Sequence, residues 1–459
     1  MRSLGAVRSL SVYRWWYVVL ILYVLMPWSL DDNARIPGIG LPIEYAPLLA
    51  VLSFAALVGS ANPIQSGIAG SSAVLWCATT TVAYIVLSSL WSVNIGSWLK
   101  YAGMWAVYVS LLVTVIRNIS AAPSDRVTAF LHSLSGWVAI YLVAIFVRFV
   151  LYPSEQYSWS QHLDFTPVIR YRIVEVWTVL PFVPLSIVLY ERSGLTRHLL
   201  VVVLGSWAIV LSFSRTGLIG LATAVALTVA FAVRRRLAAA LAVGAVSAVG
   251  MIIAFTVTHG AFADRVESIG IVNDMWFGEP APREAAWGRH ALITESLRIF
   301  REHPWLGTGA GNYTEYFDRS LPLLPMNPHN FYLSYLAELG VVGFAPLIAL
   351  VLAITLFLWR AARRVQDRQE RSIVVALAAV QTSLLVMFAA TDFLIAPHLW
   401  FAWGLSIGVA GSIVRKPTIG ELNVARRRLR VHRLAEPFVV GRGLAQLPQV
   451  RVTDASTRP

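Results

Sequence analysis

Runs of consecutive apolar residues, each about the length of a membrane span, alternate along this chain with short polar or basic interruptions. They lie at residues 15–30, 46–60, 72–91, 99–116, 127–151, 171–190, 198–213, 216–233, 237–258, 331–358, 372–392 and 396–414. A run of about 20 apolar residues satisfies its own backbone as a helix across ~30 Å of hydrocarbon, and nothing here shows the alternating period of a barrel strand. The pattern predicts an all-α polytopic membrane protein with about 12 transmembrane helices. Nine of these fall in residues 1–258 and three in residues 331–414, with a long polar loop at 259–330 and a basic tail at 415–459.

Two segments of the long loop carry their own patterns. Residues 284–302, EAAWGRHALITESLRIFRE, repeat apolar positions at helical spacing, with Ala286, Ile293, Leu297 and Phe300 on one predicted face. Such a helix lies on the membrane surface or caps the bundle. HPWLGTGAGNY follows, where Gly307, Gly309 and Gly311 allow a tight turn whose N–H groups face an anion or simply close the loop. A structural turn is the favoured reading, because no strand precedes it as a dinucleotide site requires.

Composition strengthens the membrane reading: 57% of the 459 residues are hydrophobic and 13% charged. A net charge of +13 would suggest nucleic acid in a soluble protein, but here most basic residues sit in short loops. Alternate threading puts Arg117 and Arg126, Arg192 and Arg197, residues 234–236, residues 360–371 and the tail on one side, which positive-inside bias makes cytoplasmic. Both termini are then cytoplasmic, and the first run reads as a retained helix. The tail reads as disordered or lying against anionic lipid. The single Cys77 excludes an intramolecular disulfide.

The same threading leaves positive charge on the opposite, extracytoplasmic side: Arg35, Lys100, Arg170, Arg172 and Arg215, and in the long loop Arg265, Arg283, Arg289, Arg298, Arg301 and Arg319. An anionic lipid-linked ligand is one reason to keep such charge there; a long loop that tolerates charge is the plainer one, preferred for Arg283, Arg298, Arg301 and Arg319. Arg215, in LSFSRTGLIG among Ser212, Ser214 and Thr216, is a candidate phosphate fork. In residues 326–343, MNPHNFYLSYLAELGVVG, Asn327 reads as an N-cap and Pro328 as the first helical position. His329 and Asn330 then occupy the first turn, where the helix dipole disfavours imidazolium and attracts anions. The histidines form no metal-ligand cluster, and serines and carboxylates form no nucleophile elbow or paired-acid pattern.

Taken in order, SFSRTGLIG, then GRHALITESLRIFREHPWLGTGAGNY, then PHNFYLSYLAELGVVG resemble the O-antigen ligase and O-antigen polymerase superfamily, with WSVN at residues 91–94 as a weaker further feature. The resemblance implies a C-type membrane glycosyltransferase that is inverting and metal-independent and uses no cofactor. Its donor would be a polyprenyl-diphosphate-linked glycan and its acceptor a hydroxyl of a glycan or lipid-anchored molecule, joined at the outer face of the cytoplasmic membrane. The family histidine matches His329, the diphosphate-holding arginines match Arg215 and Arg289, and Asn330, Glu338 and Gly340 match scaffold positions. Arg170, Arg172, Asn330, Lys100 and Arg265 are additional candidates. Whether His329 is a base or orients the acceptor stays open. Ligase and polymerase share these motifs, with polymerase slightly preferred; a transporter or flippase of lipid-linked sugars is the alternative.

Overall fold

The structure, a computed structural model, describes residues 71–151, 179–211, 214–234, 244–245, 249, 252, 283–317, 328, 330–391 and 397–415. The expected spans at 15–30 and 46–60, the first part of 171–190, most of 237–258 and the tail from 416 lie outside the described residues.

Among the described residues the regular structure is entirely helical. The α-helices are α1 (Ser71–Leu87), α2 (Ile95–Ala121), α3 (Ser124–Leu151), α4 (Phe182–Ser193), α5 (Thr196–Leu211), α6 (Arg215–Phe231), α7 (Arg283–Glu302), α8 (Phe331–Arg364), α9 (Arg368–Met387) and α10 (Pro397–Val414). Five helical stretches are long and apolar enough to cross a membrane, and α5, α6 and α10 are shorter apolar helices. The chain is a multi-pass membrane protein.

Helix boundaries follow local chemistry. The Asn94 side chain caps α2 by accepting from Ser97 N at 3.0 Å, and Asp367 caps α9 by accepting from Glu370 N at 2.9 Å. Polar connections also tie helix ends together. Ser412 Oγ donates to Ala122 O at 2.7 Å, joining the ends of α10 and α2, and Arg234 N donates to Glu191 Oε1 at 2.9 Å, joining the ends of α6 and α4. Arg192, Arg197, Arg234, Arg415 and the α8–α9 connection therefore share a basic end, as the charge pattern predicts. The opposite end holds the loop between α7 and α8.

The α2–α10 seam is built from small residues. A Cβ on Gly404 would stand 2.8 Å from Val115 Cβ, and one on Gly408 would stand 2.8 Å from Ile119 Cβ, so the Val115 and Ile119 side chains of α2 pack directly on the glycine backbone of α10. Small residues four apart are what brings helices together in lipid, where apolar surface alone gives no preference for protein over acyl chain. Ser412 continues the row. Above it, Trp105 and Tyr108 of α2 pack on Trp400 of α10 with ring centroids at 5.1 and 6.0 Å.

Helix α8 departs from a simple span. Gly340 has φ 59° and ψ −175° and breaks it into a short arm, residues 331–339, and a long arm, residues 341–364. Thirteen residues of straight helix would separate Phe331 from Phe344 by about 20 Å. Their ring centroids are 6.4 Å apart, so the short arm folds back over the end of the long one. Phe331 also stacks on Phe388 at 4.6 Å. The short arm lies across the loop end of the bundle, and the expected continuous span at 331–358 is corrected accordingly.

The face of α7 is also corrected. Leu292, Glu295, Ser296 and Ile299 are buried, whereas Ile293 and Leu297 are only half-buried. Apolar periodicity missed this face because two of its positions are polar residues with partners: Ser296 Oγ donates to Leu292 O and pairs with Tyr313 Oη, both at 2.7 Å, and Glu295 accepts from Arg298 at 2.6 Å. Leu292 and Ile299 cluster with Tyr313, Phe317 and Ala337, which seats α7 on the short arm of α8. It caps the bundle.

Candidate functional site

The break at Gly340 is filled by the glycine turn. Pro304 O accepts from Val341 N at 2.9 Å and Trp305 O from Val342 N at 3.1 Å, while Thr308 N and Gly309 N donate to the carbonyls of Ala337 and Glu338 at 3.1 and 2.9 Å. Backbone groups left open by the break are thus paired by the loop, the condition for irregular backbone near a membrane. A Cβ on Gly307 or Gly340 would overlap the backbone of the other strand of this contact, and both residues have positive φ, so glycine is required twice over.

The turn faces an acceptor that belongs to the protein. Gly311 N donates to Glu338 Oε2 at 3.1 Å, and the Glu338 side chain is buried. Gly307 N, Ala310 N and Asn312 N bond to His303 O, Ser88 Oγ and Gly309 O. The structural-turn reading of GTGAGN holds, and these donors are already engaged.

The WSVN feature has its partner here. Asn312, fully buried, accepts from Asn94 N at 2.8 Å and donates from Nδ2 to Ser92 Oγ at 3.0 Å, and Asn94 Nδ2 donates to Glu315 Oε1 at 2.7 Å. Tyr84 Oη donates to Leu306 O at 2.9 Å. Motifs more than 200 residues apart in sequence therefore form one polar strut that fixes α1, α2, the turn and α8 together. Burial pushes the Tyr313 hydroxyl beside it up to about 12. Arg298, a tolerated surface charge in the sequence reading, is tied to Glu295 and Glu302 and to Tyr316 O, and the hydrogen bonds it donates to Glu295 raise its affinity for its proton further.

Asn330 is the N-cap of α8. Its Oδ1 accepts from Leu333 N at 3.1 Å and its Nδ2 donates to Ala389 O at 2.8 Å. The expected cap at Asn327 and helical start at Pro328 are corrected: the helix begins at Phe331, because the Asn330 amide serves both the first turn and the end of α9. Phe331 N donates to the carbonyls of Phe388 and Thr391 at 2.9 and 3.0 Å. The positive pole of α8 meets the carbonyl end of α9, which engages it.

His329 lies outside the described residues, as do Arg170, Arg172 and Arg265. In sequence His329 stands between the buried Pro328 and the cap Asn330. Arg215 is the first residue of α6, whose Ser214 cap accepts from Gly217 N at 3.0 Å. Gly220, further along α6, packs against Met387, next to the Phe388 carbonyl that holds Phe331. Arg289 is one turn before Leu292 on α7, the helix seated on the short arm. The N-terminal part of α6 and the start of α8 thus both lie against the end of α9, and α7 is seated on the short arm of α8 at Ala337. Lys100 is exposed on the second turn of α2, beside Tyr101, which Gly311 approaches closely. Sequence reasoning missed Asn312, Tyr84 and Ser88; the WSVN feature was the signal for their strut. Among the described residues no group of three His, Cys, Asp or Glu side chains is placed to hold a metal.

No curated protein matches this chain. Residues 200–348 match the family model described as O-antigen ligase, a stretch that runs from α5 into the long arm of α8. That match covers both candidate arginines, the glycine turn and the break at Gly340, so this part of the chain is similar to the O-antigen ligase family.

Proposed function

We propose that the protein is an extracytoplasmic glycosyltransferase that moves a glycan from a polyprenyl-diphosphate carrier to an acceptor hydroxyl. The observation that carries this reading is the O-antigen ligase match at residues 200–348. The packing of α7 on the short arm of α8, and of the N-terminal part of α6 against the end of α9 that holds Phe331, supports it.

The acceptor oxygen attacks the anomeric carbon from the face opposite the diphosphate, the carbon–oxygen bond to the carrier breaks, and polyprenyl diphosphate leaves with the bonding pair. The acceptor's proton passes to a base or to water. His329, next to the cap of α8, is the proposed base or acceptor-orienting group; such a base contributes about 100- to 10,000-fold. Arg215 and Arg289 are the proposed forks for the charge that builds on the diphosphate, a task that needs preorganised cations and no bound metal. Arg170, Arg172, Lys100 and Arg265 are second-rank partners of the same anion.

The test is transfer in vitro from a lipid-diphosphate glycan to candidate acceptors, following polyprenyl diphosphate release. His329→Ala is expected to lose about 100-fold or more in kcat, Arg215→Ala and Arg289→Ala to lose comparably, and EDTA to leave the wild type unchanged. Full transfer by His329→Ala removes the assignment of that residue. A protein that moves labelled lipid-linked sugar between leaflets and never releases polyprenyl diphosphate is a flippase, and the reading fails. Products that lengthen the glycan mark a polymerase; a single addition to a different lipid-anchored acceptor marks a ligase.

A further inference from the structure

The connection between α7 and the glycine turn carries two large apolar side chains in the open: Trp305 is 69% exposed and Leu306 47%. They stand in a polar loop, next to Gly307–Ala310 backbone that is fully buried. Two features of their surroundings are apolar and open as well. Val341 and Val342, whose N–H groups bond to the carbonyls of Pro304 and Trp305, are half-exposed at the start of the long arm of α8. Leu90 and Val93, just beyond α1, are exposed on either side of Ser92, which touches Gly309. Tyr84 and Trp91 complete the group with ring centroids 5.8 Å apart, and Tyr84 Oη holds Leu306 O.

The depth of this patch follows from the long arm. Its first charged residue is Arg360, and residues 341–359 contain no charge. These 19 residues rise about 29 Å, which matches the ~30 Å hydrocarbon thickness. With the Arg360 end at one headgroup layer, Val341 reaches the other. The carbonyls bonded to Val341 and Val342 therefore fix residues 304–306 at that boundary, where tryptophan and tyrosine are favoured because one part of the ring is apolar and the other polar.

We propose that residues 304–306, with Leu90 and Val93, form a lipid-contacting anchor that inserts into the headgroup–acyl boundary of the bilayer on the loop side. The occupant is phospholipid, because the patch is continuous with the lipid-facing side of α8, where Leu352 and Leu356 are also exposed. Through the backbone bonds at the break, the anchor sets the height of the short arm and of the Asn330 cap relative to the membrane. A loop that only connects helices would have no such surface.

The experiment uses the full chain with Cys77→Ser and Trp305→Cys, labelled at residue 305 with an environment-sensitive fluorophore and reconstituted in phosphatidylcholine–phosphatidylglycerol vesicles free of any glycan lipid. Thr314→Cys, at an exposed position later in the same loop, serves as the comparison. Label at 305 is expected to emit at shorter wavelength than label at 314, and to be quenched several-fold more by lipids spin-labelled at the headgroup or C5 than at C12. Solvent-like emission at 305 overturns the proposal. So does shifted emission that no spin-labelled lipid quenches, which would mean that protein covers the patch, and so does strongest quenching from C12. Because no donor or acceptor is present, failure here is separate from failure of the transferase reading.

Discussion

Glu338 shows how one buried residue can hold a turn closed. Its carboxylate receives Gly311 N–H and its carbonyl receives Gly309 N–H, so one residue closes the glycine turn from two directions. Replacing Glu338 by alanine leaves the part-buried Gly311 donor without its oxygen, a loss of about 1 kcal/mol. Glutamine keeps a carbonyl oxygen at that position and is expected to retain most of the stability. Thermal unfolding of both variants in detergent tests this, and an alanine variant as stable as wild type would show that the bond is dispensable. At this scale the sequence was readable where chemistry is local, as in the turn role of the glycines. It misled where two asparagines stood three apart: Asn327 and Asn330 both resemble caps, and only the carbonyl of Ala389, distant in sequence, selects Asn330.

At the scale of elements, apolar runs overlap every described apolar helix, because a lipid-embedded helix must be apolar along its length. Two features escaped. The buried face of α7 includes Glu295 and Ser296, whose polarity is cancelled by partners that a periodicity cannot see. The fold-back of α8 depends on Gly340 adopting positive φ, and within an apolar run that glycine looks like any tolerated helical glycine. Small residues in α10 carry a different message. Gly408→Leu would drive a branched side chain into Ile119, and overpacking of this kind costs about 1–3 kcal/mol. Leu356→Ala, on a lipid-exposed face, is the matched control and should change little, since acyl chains replace the lost contacts. Equal thermal shifts for the two variants would mean that the α2–α10 seam has no special tightness.

For the whole molecule, the distribution of charge makes a prediction that the helix packing sharpens. Bonds between Ser412 and Ala122 and between Arg234 and Glu191 join helix ends that carry arginine, whereas the polar strut of Asn94, Asn312 and Glu338 joins the opposite ends. Positive-inside bias acts on the short basic loops, so the basic end is expected to face the cytoplasm and the candidate site the other side. Single cysteines at Thr196 and Thr314, both exposed, on the Cys77→Ser background report the two ends independently. A membrane-impermeant maleimide applied to intact cells should label Thr314→Cys and reach Thr196→Cys only after permeabilisation. The reverse pattern would set the short arm of α8 against the cytoplasm. A donor already carried across the membrane on a polyprenyl diphosphate could not then reach the Arg215 and Arg289 helices, and the extracytoplasmic transfer reading would fall while the fold stood unchanged.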